Sequence, residues 1–204
     1  MVRSRPTLRR LLIGGLAGVG LAVPAFAGPG EGLSAYDQGD YATAYRELTP
    51  AAAAGDAVAQ YTLARMYFSG VGVSRDLGEG FKWLRKSAQA GVRAAQYQLG
   101  AHYEWGIDVG QDYAEAARWY RMAADRGVAE AQFRLGMLYS DGHGVAPDLV
   151  AAHMWFNLSA ARLPPGEARN TVMKLRESVG AKLTAAQIAE AQNAARDWTP
   201  VAAH

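Results

Sequence analysis

The side chains with catalytic potential in this chain are four histidines, 19 carboxylates and a scatter of serines, with no cysteine. His102, His143, His153 and His204 contain no i, i+4 pair of the kind that holds a metal on one helix face. His102-x-Glu104 sets its two side chains on diverging sides of a helix. His143 lies between Gly142 and Gly144, and the histidines as a set are expected at surface or turn positions rather than as ligands. No Gly-x-Ser-x-Gly elbow occurs, and no Ser is followed three residues later by Lys. Gly70-Val71-Gly72 has no Lys-Ser or Lys-Thr after it, which excludes a phosphate-binding loop. The carboxylates do recur with a pattern: Asp76, Asp112 and Asp148, with Glu79 and Glu115 three residues after the first two. An Asp at a helix start accepts free backbone N–H groups, and an acid in the first turn favours the helix dipole. Their chemistry is that of caps. The chain is expected to be no enzyme and to hold no cofactor and no metal.

The caps belong to a repeat of 36 residues. Gln60, Gln96 and Gln132 recur at that spacing, as do Leu63, Leu99 and Leu135, then Tyr67, Tyr103 and Tyr139. Gly70, Gly106 and Gly142 follow, then the three Asp, then Trp83, Trp119 and Trp155, then Ala88, Ala124 and Ala160. Seven positions matching three times without a gap define a solenoid, in which one supersecondary unit stacks on its copies.

Within a unit, Ala59, Gln60, Leu63, Ala64 and Tyr67 follow the spacing of one helix face. Gly70 suits the left-handed position that closes it. The turn position shared by Gly72 and Gly144 is taken by Asp108 in the middle unit, and both residue types tolerate positive φ. Asp76 caps a second helix carrying Gly80, Trp83, Leu84 and Ala88 on one face, closed by Gly91. The Trp and Tyr of each unit are expected to fill the space between helices, each burying roughly 150–250 Å². Small residues at Ala64, Gly100 and Gly136 let the helices approach. Lys82, Arg85, Lys86, Arg118 and Arg121 read as solvated outer faces of the second helices. Residues 28–56 form a degenerate leading unit, with Glu47 at the Trp position of a terminal unit facing water and Pro50 interrupting or kinking its second helix. Residues 57–92, 93–128 and 129–163 are the three full units. Pro164-Pro165-Gly166 stops the period. Residues 164–204 hold two capping helices and a tail, one helix over Glu167 to Val179 with Val172, Leu175 and Val179 on one side. The other begins at a Thr184/Gln187 capping box and continues through Ile188, Ala191, Ala195 and Trp198.

Ala59-Gln60-x-x-Leu63-Ala64-x-x-Tyr67-x-x-Gly70-x-Gly72-Val73-x-x-Asp76, followed by Trp83-x-x-x-x-Ala88-x-x-Gly91, resembles the Sel1-like repeat. The units from Ala95 and Ala131 repeat it, and Leu183-Thr184-x-x-Gln187-Ile188 with Trp198 is similar to the segment that often closes such arrays in bacterial proteins. The resemblance implies an all-α, right-handed superhelix of antiparallel helix pairs, related to tetratricopeptide arrays. It implies a scaffold, regulatory or surface-assembly role, with the first helix of each pair lining the concave side. On that register Val58, Tyr61, Arg65, Phe68 and Ser69 face the groove, then Ala94, Tyr97, Ala101, Glu104 and Trp105, then Glu130, Phe133, Met137, Ser140 and Asp141. Tyr61, Arg65, Phe68, Tyr97, Ala101, Glu104, Trp105, Phe133, Met137 and Ser140 are the candidate protein-binding residues. Aromatics and Met outside the repeat signature suit recognition of a peptide or helix. The alternative is that Tyr61, Tyr97 and Phe133 pack between units as core.

Residues 1–27 read as a leader. Arg3, Arg5, Arg9 and Arg10 precede the apolar run Leu11 to Val23, and Ala25-Phe26-Ala27 has the small-x-small form of a signal-peptidase site. Taking those four Arg from 21 basic residues leaves 17 against 19 acidic, so the mature chain is slightly acidic and carries no basic stripe for nucleic acid. The expected protein is a periplasmic or secreted monomer with a protein or peptide partner and no membrane span once the leader is removed. The competing class is a cell-wall or β-lactam-related ligand-binding protein or enzyme. The expected processing is checked by intact-mass measurement on exported protein, which should begin at Gly28; a full-length chain in the membrane fraction contradicts it.

Overall fold

The computed structural model describes residues 29–202; the expected leader and its cleavage site lie outside them. The described residues form ten helices: α1 (Pro29–Asp37), α2 (Tyr41–Ala53), α3 (Ala57–Ser69), α4 (Leu77–Gln89), α5 (Arg93–Trp105), α6 (Tyr113–Ala124), α7 (Ala129–Asp141), α8 (Leu149–Arg162), α9 (Glu167–Gly180) and α10 (Ala185–Asp197). Each helix packs most closely on its partner within a unit and then on the next unit, α3 with α4, α4 with α5, and so on to α8, which carries both α9 and α10. The architecture is an all-α solenoid with a helical cap.

Helix ends follow the residues read from the repeat. Asp76 accepts from the Glu79 N–H at 3.0 Å, Asp112 from those of Ala114 and Glu115 at 2.9 and 3.0 Å, and Asp148 from that of Ala151 at 2.9 Å. Gly70, Gly106 and Gly142 close the first helices with φ of 71°, 65° and 72°. The turn glycines are held by a close approach as well as by positive φ. A Cβ on Gly72 would sit 2.5 Å from the Tyr41 carbonyl oxygen, and one on Gly144 would collide with the Tyr113 backbone. Asp108 takes the same conformation at φ 61°. The Thr184–Gln187 capping box starts α10. Pro50 does not interrupt α2, which runs through it to Ala53. Proline removes one N–H, and the burial of Leu48 and Ala52 on the same helix holds the turn in place.

Packing explains three of the recurring side chains. Gln60, Gln96 and Gln132 are buried, and each side-chain amide donates to the carbonyl of Ala52, Ala88 or Ala124, at 3.0, 3.1 and 3.1 Å. That carbonyl belongs to the second helix of the preceding unit. The small residues at Ala64, Gly100 and Gly136 make room for side chains rather than only for backbone. A Cβ on Gly100 would lie 2.7 Å from the Tyr120 ring, and one on Gly136 would lie 2.7 Å from Phe156. The first unit has Ala64 and the smaller Leu84 at these two places, so volume is exchanged between the helices of a unit. The recurring tyrosines tie one unit to the one before: Arg85 donates to the Tyr103 hydroxyl at 3.4 Å and Arg121 to that of Tyr139 at 2.6 Å. In the leading pair Tyr45 and Tyr67 join hydroxyl to hydroxyl at 2.9 Å. Burial, and then that bond, push the Tyr67 hydroxyl up to about 12.

Four expectations are corrected here. Arg121 is half-buried, bonded to the Tyr139 hydroxyl and lying over the Trp155 ring at 5.0 Å, rather than a solvated charge, whereas Arg85 stays exposed as expected. Glu47 is buried rather than facing water, because α1 covers it: Gly32 of α1 sits directly against Glu47 and Leu48. His153 is buried in α8 beside Gly180, and burial, with Arg176 nearby, lowers its affinity for a proton. The three Trp are not equivalent. Trp119 and Trp155 are 2% and 1% exposed. Trp83 is half-buried, with the Lys86 ammonium 4.4 Å from its ring centroid. Trp119→Ala should therefore destabilise by about 3–5 kcal/mol, and Trp83→Ala by about 1–2 kcal/mol. Thermal or denaturant unfolding checks both; equal losses would show that the Trp position is uniform after all.

Candidate functional site

The first helices α3, α5 and α7 present one face of the array, and three depressions lie along it. One, of about 500 Å³, is lined by Tyr36, Arg65, Phe68, Ser69, Arg75, Leu77, Gln98, Ala101, His102, Ile107 and Asp108. A second, of about 590 Å³, is lined by Tyr61, Val92, Arg93, Ala94, Tyr97, Gln98, Val128 and Glu130. The third, of about 410 Å³, lies between α7 and α9 and is lined by Glu130, Phe133, Leu163, Glu167, Ala168, Thr171 and Val172. α9 thus stands where the first helix of a further unit would stand.

The aromatic row is partly surface and partly core. Tyr61, Tyr97 and Phe133 are half-buried. The Tyr97 ring lies 5.7 Å from Tyr120, and Phe133 lies 6.2 Å from Phe156, centroid to centroid. Each therefore leans on the large side chain of the second helix while its other side lines a depression. Burial raises the Tyr61 hydroxyl above its ordinary value, and the Arg65 guanidinium opposes the shift from 6.0 Å over the ring. Ala101, Met137 and Ser140 are half-buried, and the first two also pack on core clusters. Arg65 is exposed and lies over the Tyr36 ring at 5.0 Å. Phe68 fills the space above Gly80 and stacks on His102 at 5.0 Å.

Glu104 departs from the expectation that it faces the groove. It is buried, accepting the Tyr120 hydroxyl at 2.5 Å and pairing with Arg134 at 3.6 Å. The position is that of Phe68, whose ring points inward over Gly80; Glu104 points the same way, toward a phenol. Burial and then this bond hold the Tyr120 proton far more tightly than a free phenol does. Arg134 leaves Glu104 and lies over both Trp105, at 5.4 Å, and Phe133, at 5.5 Å. Trp105 itself is 57% exposed. It presents an indole to solvent at the centre of the array, with a guanidinium against its ring.

Sequence reasoning treated His102 only as a non-ligand and Asp108 only as a turn residue, and it passed over Arg75 and Arg134. His102 Nδ1 is 3.0 Å from the Ile107 carbonyl, which can only accept, so Nδ1 carries the proton; the Asp108 carboxylate is 3.7 Å away. The signal for His102 was present, since Met66 and Leu138 hold its place in the flanking units. His102 and Glu104 do diverge, as their spacing requires. Among the described residues no three His, Asp or Glu side chains gather as a metal site, and no helix is long and apolar enough to cross a membrane.

An all-α solenoid of paired-helix units, with depressions along the face of its first helices, is a repeat architecture. The Sel1 repeat model matches residues 57–92, 93–128 and 129–162, more than half of the chain. The chain belongs to the Sel1 repeat family, whose repeats are in general protein–protein interaction modules. A Sel1 repeat protein from Oxalobacter formigenes is similar at 36% identity and a TM-score of 0.59, over 63% of this chain and 96% of that one. The antigen c5321 of uropathogenic Escherichia coli, described as protective and as displaying the SLR fold, is similar at 39% identity and a TM-score of 0.55, over 57% of this chain. This chain spans a quarter of that antigen's length, 25%. A search of the curated proteins finds no match.

Trp105→Ala should leave helix content and melting nearly intact, because the ring is exposed, and should weaken partner binding by about 2 kcal/mol or more, roughly thirtyfold. Circular dichroism and titration calorimetry check the two halves; a lowered melting temperature with unchanged affinity would make Trp105 a cover for the turn at Gly106.

Proposed function

We propose that this chain is a non-enzymatic interaction module working in the periplasm or outside the cell, which binds a protein or peptide across the face of α3, α5 and α7. The observation that carries this reading is Trp105. Its counterparts in the flanking units are Ser69 and Asp141, so the repeat does not require an aromatic there, yet the ring stands 57% exposed at the middle of the face. Desolvated central aromatics dominate most interfaces. The half-buried Tyr61, Tyr97 and Phe133 are braced from behind, which limits the side-chain entropy lost on binding. The leader read in residues 1–27 supports export.

The test is affinity capture from an envelope extract, using the exported chain tagged after His204, alongside its Trp105→Ala variant. A protein retained by the first and lost by the second is the expected result. Recovery of no protein, together with saturable binding of a muropeptide by the purified chain, would replace this reading with a cell-wall ligand-binding one.

A further inference from the structure

We propose that the depression between α3 and α5 is an acid-reading subsite, which takes a carboxylate side chain of the partner together with an adjacent aliphatic or aromatic residue. This rests on the reading of the first-helix face as the partner-binding surface, and it specifies the chemistry of the partner.

The site exists because the middle unit departs from its neighbours at two facing positions. In the flanking junctions Gly72 packs on the Tyr41 backbone and Gly144 on that of Tyr113. At the middle junction the corresponding pair is Asp108 and Leu77. The smaller Leu77 and the Asp108 turn both line the depression. Asp108 is the one non-glycine residue with positive φ among the described residues, where two units use glycine.

Its lining has two characters. Phe68, Leu77, Ala101 and Ile107 make an apolar side, and Ile107 is 48% exposed. Arg65 and Arg75 supply the charge. Among the described residues neither guanidinium has a carboxylate within the 4.0 Å of an ion pair. Arg75 is oriented by its Nε–H, which donates to the Phe68 carbonyl at 3.1 Å, and among the described residues its terminal nitrogens have no hydrogen-bond partner. Asp108 is the one carboxylate in the lining, and it lies beside His102 at 3.7 Å. A guanidinium fork matches a carboxylate in shape and charge. At the other end of the face the lining carries Glu130 and Glu167 instead. A bound segment would therefore lie with its acidic residue toward α3.

The probe is a phage-displayed library of random dodecapeptides, selected on the intact chain and on Arg65→Ala/Arg75→Ala in parallel. The expected result is enrichment of Asp or Glu next to Leu, Ile, Met or Phe on the intact chain alone. A synthetic peptide from that set should bind the double variant at least tenfold more weakly, with its melting temperature unchanged. Asp108→Gly provides a variant of opposite sign. It restores the residue the flanking units use and removes the like charge, so it should raise both the melting temperature and the affinity for the acidic peptide. Peptides without acidic enrichment that still require Trp105 would overturn this inference and leave the proposed function standing. Failure to enrich any peptide, or Asp108→Gly weakening the acidic peptide, would overturn it as well.

Discussion

The array depends on one carbonyl per junction. Ala52, Ala88 and Ala124 lie at the ends of α2, α4 and α6, where a helix has run out of its own donors. Each carbonyl accepts from the following glycine N–H, that of Gly55, Gly91 or Gly127, at 3.1, 3.1 and 2.9 Å. Its second lone pair accepts from the buried side chain of Gln60, Gln96 or Gln132. The glycines sit at φ of 103°, 93° and 83°, which turns the chain back toward the first helix of the next unit. Two recurring residues five positions apart thus converge on a single acceptor, and the register between units follows. Leu, Ala and Trp fill the space that this register defines. A leucine in place of the glutamine would fill similar volume but could not hold the angle.

The middle unit keeps this junction and alters almost everything exposed around it. Gln96 has an extra partner, the Arg126 guanidinium at 3.1 Å from its amide oxygen. Around that fixed frame His102, Glu104, Trp105 and Asp108 each replace a residue type that the flanking units use. Glu104 and Tyr120 put a polar pair where the first unit has Phe68 and Leu84. Among these replacements Glu104 buries a carboxylate, Trp105 exposes an indole and Asp108 places a non-glycine residue at positive φ, none of which the repeat requires. Sequences depart from internal consistency in this concentrated way where a surface is used.

The same distinction separates what could be read in the sequence from what could not. Caps, left-handed closures and the stacking of pairs are local and periodic, so Asp76, Gly70 and Gly106 announced themselves. Asp108 could be assigned positive φ simply by its register with Gly72. Exposure is not periodic. Trp83 and Trp119 share a register position and differ in burial, because cover comes from side chains of adjacent units that do not repeat. Glu104 was assigned to the groove by its helix position, but the phenol it meets sits 16 residues later at Tyr120, where the other units have Leu84 and Phe156. A carboxylate's direction is decided by its partner, and that partner lies outside the repeat signature. Likewise Glu47 is covered only because Gly32, in the short leading helix, lets α1 lie directly against it.

The aromatic row shows why core and surface are hard to separate in the sequence, since its rings take part in both. Tyr97 touches Tyr120 on its inner side and lines a depression on its outer side; Phe133 does the same with Phe156. A ring braced by a buried ring cannot swing away when the face is empty. The entropy of ordering it has been met in folding, so less is lost when a partner arrives. Trp105 is the exception: Arg134 lies over its face, and the same guanidinium pairs with the buried Glu104 and lies over Phe133. Its position is thus set through a chain of charges rooted at Tyr120. The rigidity of the row and the placement of the exposed indole then have a common origin in the second helix of the middle unit. A change at Tyr120 would reach the face of α3, α5 and α7 through Glu104 and Arg134 without lying on that face.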